Sequence, residues 1–299
     1  MATADLLETI VAATRRSVEG RERTMPRGQL LDAQRRRPNG AGFRAALRDG
    51  ASPRVIAECK RRSPSRGILR RRYDPAAHAA AYARAGAAAI SVLTEPTFFD
   101  GCLDHLAKVR AAVDLPILRK DFIVDEYQLA EAVAFGADGV LLIVGALDDD
   151  ALARLLIATN DFGLAALVEV HDRDELARAL AAGADIVGVN SRNLRTLAVD
   201  PAALERIAEA LPGHVIAVAE SGIRSGDDIC RLSAVGYHAF LVGERLIVEE
   251  DPGAALMTLR GKSESGSAEQ SAPSERTARA KQARARVGET EGRSPSDKK

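Results

Sequence analysis

The stretch Val55-Ile-Ala-Glu-Cys-Lys-Arg-Arg-Ser-Pro-Ser-Arg-Gly67 decides how the rest of the chain is interpreted. Its apolar start is too short for an ordinary helix and ends in Ser-Pro and Gly turn chemistry, so we predict a buried strand that runs into a loop. Because side chains alternate along a strand, Glu58 and Lys60 share one face with Ile56. Burial of two charges is costly unless they are paired or used. The pair therefore indicates either a rim salt bridge or a functional site.

Apolar runs of the same kind recur along the chain, with helical stretches between them. We predict strands at residues 55–59, 89–93, 116–118, 139–144, 165–170, 186–189, 215–219 and 239–242. Several helical stretches end in a glycine just before the next strand, as at Gly86 and Gly136, which is typical of a helix C-cap. Strands and helices in this alternation predict an α/β protein, a (β/α)8 TIM barrel, with a doubly wound open sheet as the alternative.

Polar residues and glycines follow the predicted strands at the points where the strands end. They are Glu58 and Lys60, Lys120, Glu169, Asn190, Glu220-Ser221-Gly222 and Gly243. A barrel collects ligand contacts from the ends of many strands, whereas an open sheet collects them at one crevice, so this distribution favours the barrel. The glycines of the last two loops allow backbone amides to approach a phosphate. His171 shares the face of Glu169, and there we expect a structural histidine of the rim.

Composition divides the chain into three parts. Residues 1–50 contain a helical stripe that includes Leu6, Leu7 and Ile10, and they predict an N-terminal helical extension packed on the barrel. Residues 51–260 hold the barrel. Residues 261–299 are rich in Ser, Glu, Ala, Arg and Lys and poor in large apolar residues, so we predict a disordered polar tail there.

Charge and hydropathy exclude several classes of function. The 299 residues include 42 basic and 42 acidic side chains, and this zero net charge argues against a nucleic-acid binder. No run approaches the roughly 18 apolar residues of a membrane span, and the N-terminus lacks the core of a signal peptide. We therefore expect a cytoplasmic protein without a membrane partner. Cys59, Cys102 and Cys230 are far apart, which predicts free thiols.

The chemistry-bearing residues are lysines and glutamates. Three glutamates could suggest a hard metal site, but Lys60 and Lys120 already balance them and would repel a cation, so we predict no metal. No P-loop or strand-linked G-x-G-x-x-G occurs, so neither ATP nor a dinucleotide is implied. A lysine acting on a phosphorylated small molecule can be a general acid or, with a lowered pKa, a Schiff-base nucleophile. The residues alone leave both alternatives open.

Five motifs together resemble the indole-3-glycerol-phosphate synthase family of tryptophan biosynthesis. They are Ile-Ala-Glu-Cys-Lys-Arg-Arg-Ser-Pro-Ser-Arg-Gly from residue 56, Leu-Arg-Lys-Asp-Phe from 118, Leu-Val-Glu-Val-His from 167, Val-Asn-Ser-Arg-Asn-Leu from 189 and Ala-Glu-Ser-Gly-Ile from 219. The resemblance extends from about Leu6 to about Leu259. It implies a barrel behind an N-terminal helical extension, and an enzyme that needs no cofactor. The implied reaction converts 1-(2-carboxyphenylamino)-1-deoxyribulose 5-phosphate to indole-3-glycerol phosphate, carbon dioxide and water.

The resemblance also implies roles for individual residues. Lys120 would be the general acid at the substrate carbonyl, Glu169 would assist the loss of water, and Lys60 would hold substrate anions and serve as a second acid. Glu58 and Asn190 would orient Lys60 and the sugar hydroxyls. Further binding positions would be Ser63, Arg192, Glu220, Ser221, Gly222 and Gly243, with Ser221, Gly222 and Gly243 near the phosphate. Phe99 and Phe122 would contact the anthranilate ring, or else belong to ordinary rim packing.

Two other functions remain as alternatives. One is another phosphosugar barrel enzyme, such as a Schiff-base aldolase or an isomerase. The other is a barrel that binds a phosphorylated ligand without turnover, although such a protein has no need to keep Lys60, Lys120 and Glu169 together. In each case we expect a monomer, with a weak homodimer as the alternative.

Overall fold

The computed structural model describes residues 5–32 and 36–261. The helices are α1 (Leu6–Thr24), α2 (Arg27–Asp32), α3 (Gly40–Arg48), α4 (Pro75–Arg84), α5 (Leu103–Ala112), α6 (Glu126–Ala134), α7 (Asp149–Asp161), α8 (Arg173–Ala181), α9 (Ala202–Ala208), α10 (Gly226–Ala234), α11 (Glu244–Ile247) and α12 (Pro252–Leu259), with a 3-10 helix at Val144–Ala146. The strands are β1 (Arg54–Cys59), β2 (Arg62–Ser63), β3 (Gly67–Ile68), β4 (Ala89–Leu93), β5 (Ile117–Lys120), β6 (Gly139–Ile143), β7 (Ala165–Val170), β8 (Ile186–Asn190), β9 (Ile216–Glu220) and β10 (Ala239–Val242). Apart from Gly261, the predicted polar tail lies outside the described residues.

Eight parallel strands, β1 and β4 to β10, form a closed barrel. Strand β1 pairs with β4 on one side and with β10 on the other, where Ala57 is opposite Val242, so the ring has no free edge. The predicted (β/α)8 barrel is confirmed, and the open sheet is excluded. Strands β2 and β3 form a small antiparallel hairpin in the loop after β1. Strand β5 extends further than predicted, because Lys120 still pairs with Leu93 of β4.

The alternation of side chains along the barrel strands creates two apolar cores. The inward-facing residues, such as Ile56, Leu167 and Val218, pack together inside the barrel. The outward-facing residues, such as Val55 and Val168, pack against the surrounding helices. The inward-facing residues near the start of each strand are mostly apolar. The polar residues near the strand ends therefore form a separate layer at the mouth of the barrel.

Helix α3 closes the amino-terminal end of the barrel. Its Phe43 and Leu47 are completely buried and belong to the core inside the barrel. The helix approaches the chain very closely at its first residue, because a Cβ on Gly40 would lie 2.6 Å from the carbonyl carbon of Leu164. Asn39 caps the helix by accepting a hydrogen bond from the backbone N–H of Gly42 at 2.8 Å. Gly40 and Asn39 thus allow α3 to pack against the amino-terminal end of the barrel.

Helix α1 begins near the mouth of the barrel and ends beside helix α6. Near its end, Arg21 forms an ion pair with Glu131 of α6 at 2.6 Å. Near its start, Leu7 packs with the inner core, and Asp5 forms an ion pair with Arg195 of the loop after β8. Residues up to Gly261 form one compact unit, and the boundary predicted at residue 50 stays a prediction. Among the described residues, every helix is too short or too polar to cross a membrane.

Candidate active site

A cavity of about 620 Å³ opens where the barrel strands end. It is lined by every site residue predicted from the sequence, namely Glu58, Lys60, Ser63, Phe99, Lys120, Phe122, Glu169, Asn190, Arg192, Glu220, Ser221, Gly222 and Gly243. Residues from seven of the eight barrel strands, or from the loops that follow them, therefore line one space, as the distribution of polar residues predicted.

Lys120 lies between charged side chains at the mouth of the barrel. Its Nζ is 3.0 Å from Glu169 Oε2 and 3.6 Å from Glu220 Oε2. Burial lowers the pKa of Lys120, but the carboxylates of Glu169, Glu220 and Glu58 outweigh that effect and raise the pKa above its usual value. Lys120 is therefore an ammonium at neutral pH.

Two neighbouring carboxyl groups, Glu169 and Glu220, are pushed in opposite directions by their surroundings. Burial raises the pKa of Glu169, but Lys120, His171 and a hydrogen bond from Asn190 lower it below its usual value. Burial and the Glu169 carboxylate raise the pKa of Glu220 well above its usual value, although Lys120 acts against this. Pairs of groups whose pKa values are driven apart are typical of acid–base sites. The arrangement provides an ionised Glu169 beside a more easily protonated Glu220.

A second lysine–glutamate pair lies beside the first. Lys60 Nζ is 2.6 Å from Glu58 Oε1, and both residues come from β1 and the position just after it. The Glu58 side chain fits because Gly243, after β10, has no side chain, and a Cβ there would lie 2.3 Å from Glu58 Oε1. Gly243 thus makes room for a carboxylate as well as lining the cavity, a function that the sequence prediction did not include.

The turn after β9 lines the cavity and has an unusual backbone conformation. Ser221 and Gly222 both have positive φ values, 62° and 74°. A non-glycine residue in this region is uncommon and is concentrated at functional sites. Successive backbone N–H groups in such turns form concave sites for anions. In the neighbouring loop, after β8, Arg192 donates a hydrogen bond to the Leu197 carbonyl at 3.1 Å.

The loop after β10 places a further carboxylate, that of Glu244, at the cavity. The resemblance to the family did not predict it. Glu244 pairs with Arg66 at 2.9 Å and lies 3.9 Å from Arg192. All three residues line the cavity, so the cationic groups at this end are partly balanced by a carboxylate.

The other end of the cavity is apolar. The rings of Phe99 and Phe122 are 6.3 Å apart between centroids and are tilted by 38°. Glu95 shapes the first of these loops, because its carboxylate accepts hydrogen bonds from three backbone N–H groups, those of residues 97 to 99. Leu141, Ile143 and Leu194 complete this wall and were missed as site residues. Alternation along β6 could have found Leu141 and Ile143, since both face inward.

His171 lies behind the cavity wall and is not among the residues that line it. Its Nδ1 is 3.0 Å from Glu175 Oε2, and its Nε2 is 3.5 Å from Glu169 Oε1. It was expected to be a structural rim histidine, and it lies between the carboxylates of Glu169 and Glu175. Over residues 5–32 and 36–261, no cluster of three or more His, Cys, Asp or Glu side chains is arranged to hold a metal ion.

Comparison with known proteins shows the family of this chain. The family model described as indole-3-glycerol phosphate synthase matches residues 7–259. The chain is similar to proteins of that name from Nocardioides sp., with 51% identity over 86% of this chain and 98% of the relative, and from Azospirillum brasilense, with 46% identity over 85% and 98%. The protein of that name from Mycolicibacterium smegmatis is 48% identical, over 87% of this chain and 95% of the relative.

Among solved structures, the thiamine phosphate pyrophosphorylase from Pyrococcus furiosus covers 70% of this chain and 94% of its own, with a TM-score of 0.53 and 20% identity. That likeness shows the barrel fold alone. The family match spans the barrel, the helices before it and all of the predicted site. The chain therefore belongs to the indole-3-glycerol phosphate synthase family, decarboxylating lyases of tryptophan biosynthesis that act on a phosphorylated small molecule.

Proposed function

We propose that Lys120 is the general acid that protonates the carbonyl of 1-(2-carboxyphenylamino)-1-deoxyribulose 5-phosphate as the aromatic carbon attacks it. The observation that supports this most is the position of the Lys120 ammonium beside two buried glutamates. These carboxylates raise its pKa, so the proton is present before the substrate binds. A Schiff-base aldolase requires the opposite, a lysine whose pKa is lowered until it is a free amine. The electrostatics therefore favour acid catalysis over the aldolase alternative.

Glu169 is the base of the same proposal. Ring closure gives a cationic intermediate, and a carboxylate in a water-excluded site stabilises developing positive charge. Glu169 is ionised and completely buried, and it is within hydrogen-bond distance of Lys120. It then accepts a proton from the substrate when water leaves. Glu220, with its raised pKa, keeps this part of the cavity from carrying a second full negative charge.

Lys60 holds the substrate carboxylate and acts as the second acid. Its partner Glu58 fixes the position of the ammonium at 2.6 Å, and only 16% of the Lys60 side chain is exposed. Asn190, which lines the same cavity, orients Lys60 and the sugar hydroxyls together with Glu58. This division gives each of the two lysines its own glutamate.

The phosphate and the ring occupy opposite ends of the cavity. Backbone N–H groups of Ser221, Gly222 and Gly243 bind the phosphate, with Ser63 and Arg192 beside them. The turn at Ser221 and Gly222 supports this assignment, because both residues line the cavity and both have positive φ values. At the far end, Phe99 and Phe122 contact the anthranilate ring.

The remaining properties proposed for the protein concern its cellular setting. We propose a cytoplasmic monomer, with a weak homodimer as the alternative, that works without a cofactor. Size-exclusion chromatography with light scattering would distinguish the two assemblies.

The product itself provides the test of the reaction. Incubation with the carboxyphenylamino substrate should give indole fluorescence, and borohydride should capture no covalent adduct at Lys120. Covalent capture at Lys120 would instead support the aldolase, and an absence of indole from folded protein would contradict the proposed reaction.

A further inference from the structure

A row of three side chains, Glu169, His171 and Glu175, leads away from the cavity. His171 Nδ1 lies 3.0 Å from Glu175 Oε2, and the His171 backbone N–H donates to the same oxygen at 2.8 Å. On the other side of the ring, Nε2 lies 3.5 Å from Glu169 Oε1. The Glu169 side chain is completely buried, whereas 19% of the Glu175 side chain is exposed. The imidazole therefore bridges the proposed base and a carboxylate that reaches solvent.

Within the part of the chain that the structure describes, Glu169 Oε1 and His171 Nε2 are buried side-chain atoms without a hydrogen bond at ordinary distance. Buried polar atoms are nearly always satisfied, so an unsatisfied pair calls for an explanation. A proton on Nε2 needs only a small approach of the ring to form the missing hydrogen bond.

Glu175 is held in place by a close fit on the 3-10 helix. A Cβ at Gly145 would lie 2.8 Å from Glu175 Oε1, so the absence of a side chain there lets the carboxylate approach. Glu175 also accepts from the His171 backbone N–H, so both the backbone and the ring of His171 hold its carboxylate beside the imidazole. The Nδ1–H that donates to Glu175 leaves Nε2 as the atom that exchanges a proton with Glu169.

The charges around His171 favour its protonated form. Burial lowers the pKa of His171, but the hydrogen bond to Glu175 and the carboxylates of Glu169 and Glu175 raise it above its usual value. Lys120 of β5 acts in the opposite direction. The 3-10 helix Val144–Ala146 contributes no titratable side chain, and Asn190 of β8, which bonds to Glu169, is neutral. The surroundings of His171 thus stabilise its protonated form relative to a free imidazole.

The chemistry of the reaction creates a need for such a proton. The carbonyl oxygen of the substrate leaves as water, so it takes up two protons. Dehydration releases one proton from the carbon next to the nitrogen, and Glu169 can return that proton to Lys120 across 3.0 Å. The second proton must come from solvent, which balances the charge lost with carbon dioxide. While substrate fills the cavity it covers both lysines, whereas Glu175 does not line the cavity.

We propose that His171, held by Glu175, is a positioning residue that holds a proton taken from solvent and passes it to Glu169, and through Glu169 to Lys120. The Nε2–H bond of the protonated ring breaks as an O–H bond forms on Glu169, and the neutral ring keeps its proton on Nδ1, where it faces Glu175. After the product leaves, a proton from solvent in the open cavity returns through Glu169 to Nε2 and restores the protonated ring. The relay rests on the proposed role of Glu169 as the base. His171 itself touches neither the substrate nor the cavity.

The test compares His171→Gln and Glu175→Gln with the exposed control His214→Gln. For the two relay variants we expect kcat to fall about tenfold or more, in the range that proton-transfer groups contribute, with KM changed by less than about twofold. The intact protein should lose activity as the pH rises through the pKa of His171, and this basic limb should be absent in His171→Gln. The solvent deuterium isotope effect on kcat should increase in both variants, and added imidazole should restore part of the activity of His171→Ala.

Each result separates a relay from a structural role. A folded His171→Gln that keeps the native kcat, pH profile and isotope effect would overturn the relay, provided that intact protein and His214→Gln form indole. If His171→Gln does not fold, Glu175→Gln decides, because it leaves the imidazole in place, and a native pH profile for it also counts against the relay. If neither the intact protein nor the control forms indole, the proposed reaction itself fails, and the relay fails with it.

Discussion

Substitution of Gly188 by alanine should strongly disturb the charged side chains at the mouth of the barrel. It lies on β8 and faces Glu220, and a Cβ there would be 2.1 Å from Glu220 Oε1 and 3.2 Å from Leu167 Cδ1. Ordinary contacts of a Cβ begin at 3.4 Å, so the Glu220 carboxylate must retreat by more than about 1 Å in Gly188→Ala. Because Glu220 is 3.6 Å from Lys120, this movement changes the surroundings of the proposed acid.

Gly188→Ala should reduce activity more than it reduces stability. An extra methyl group in a packed core costs about 1–3 kcal/mol, against a total stability of about 5–15 kcal/mol, so the variant should remain folded. A misplacement of about 1 Å near reacting groups can cost about 100-fold in rate. We therefore expect kcat/KM to fall by about 100-fold in Gly188→Ala.

The assay is the rate of indole fluorescence, combined with thermal unfolding of the same samples. Gly213→Ala is the matched control, because nothing lies within 4 Å of a Cβ at that position, and it should retain native kcat/KM. A folded Gly188→Ala with native kcat/KM would refute the inference that the space beside Gly188 sets the position of Glu220.

Two further substitutions, Glu220→Gln and Phe43→Ala, test the electrostatics of the barrel mouth and the packing of α3 against the amino-terminal end of the barrel. The raised pKa of Glu220 means that the folded state binds more protons than the unfolded state above about pH 4.5, so stability falls as the pH rises from there. Glu220→Gln should therefore melt at a higher temperature than the intact protein near pH 8, and the difference should shrink toward pH 4. Phe43→Ala should lower the free energy of unfolding in urea by about 3–5 kcal/mol, because Phe43 is completely buried, whereas Ile157→Ala on the exposed side of α7 should change it little. Equal losses of unfolding free energy in Phe43→Ala and Ile157→Ala would contradict the inference that α3 packs against the amino-terminal end of the barrel.

The barrel and the convergence of its site could be predicted because both depend on local periodicity. Alternation along β1 places Ile56 in the inner core and Glu58 at the mouth, and the structure has both there. Parallel strands in a closed ring bring their carboxyl ends together, so a polar residue at each end is enough to predict a common cavity. The end of β5 was placed too early because Lys120 is polar, and strand pairing with Leu93 extends the strand past it.

Contacts between distant segments were not predictable in the same way. Gly188 and Gly243 make space for carboxylates that are 32 and 185 residues away in the sequence, at Glu220 and Glu58. No local pattern distinguishes such a glycine from one in a turn. The pairing of His171 with Glu175 was also missed, since it depends on how α8 begins after β7.

Arg119 shows the same limit on the outer face of the barrel. It is almost completely buried, and its guanidinium binds Asp121, Glu131 and the Gln128 carbonyl. The sequence presents it only as a basic residue beside Lys120. Burial of an arginine becomes understandable once the carboxylates of β5 and α6 are known to surround it.

The most direct measurement is a single-turnover reaction of the phosphorylated carboxyphenylamino substrate, followed by indole fluorescence, with Lys120→Met and the exposed-site control Lys108→Met. We predict native product formation by the intact protein and by Lys108→Met, and a loss of about 100-fold or more in Lys120→Met, because the proposed proton donor is gone. Product formation at the native rate by folded Lys120→Met would contradict the role of Lys120 as the acid of this site.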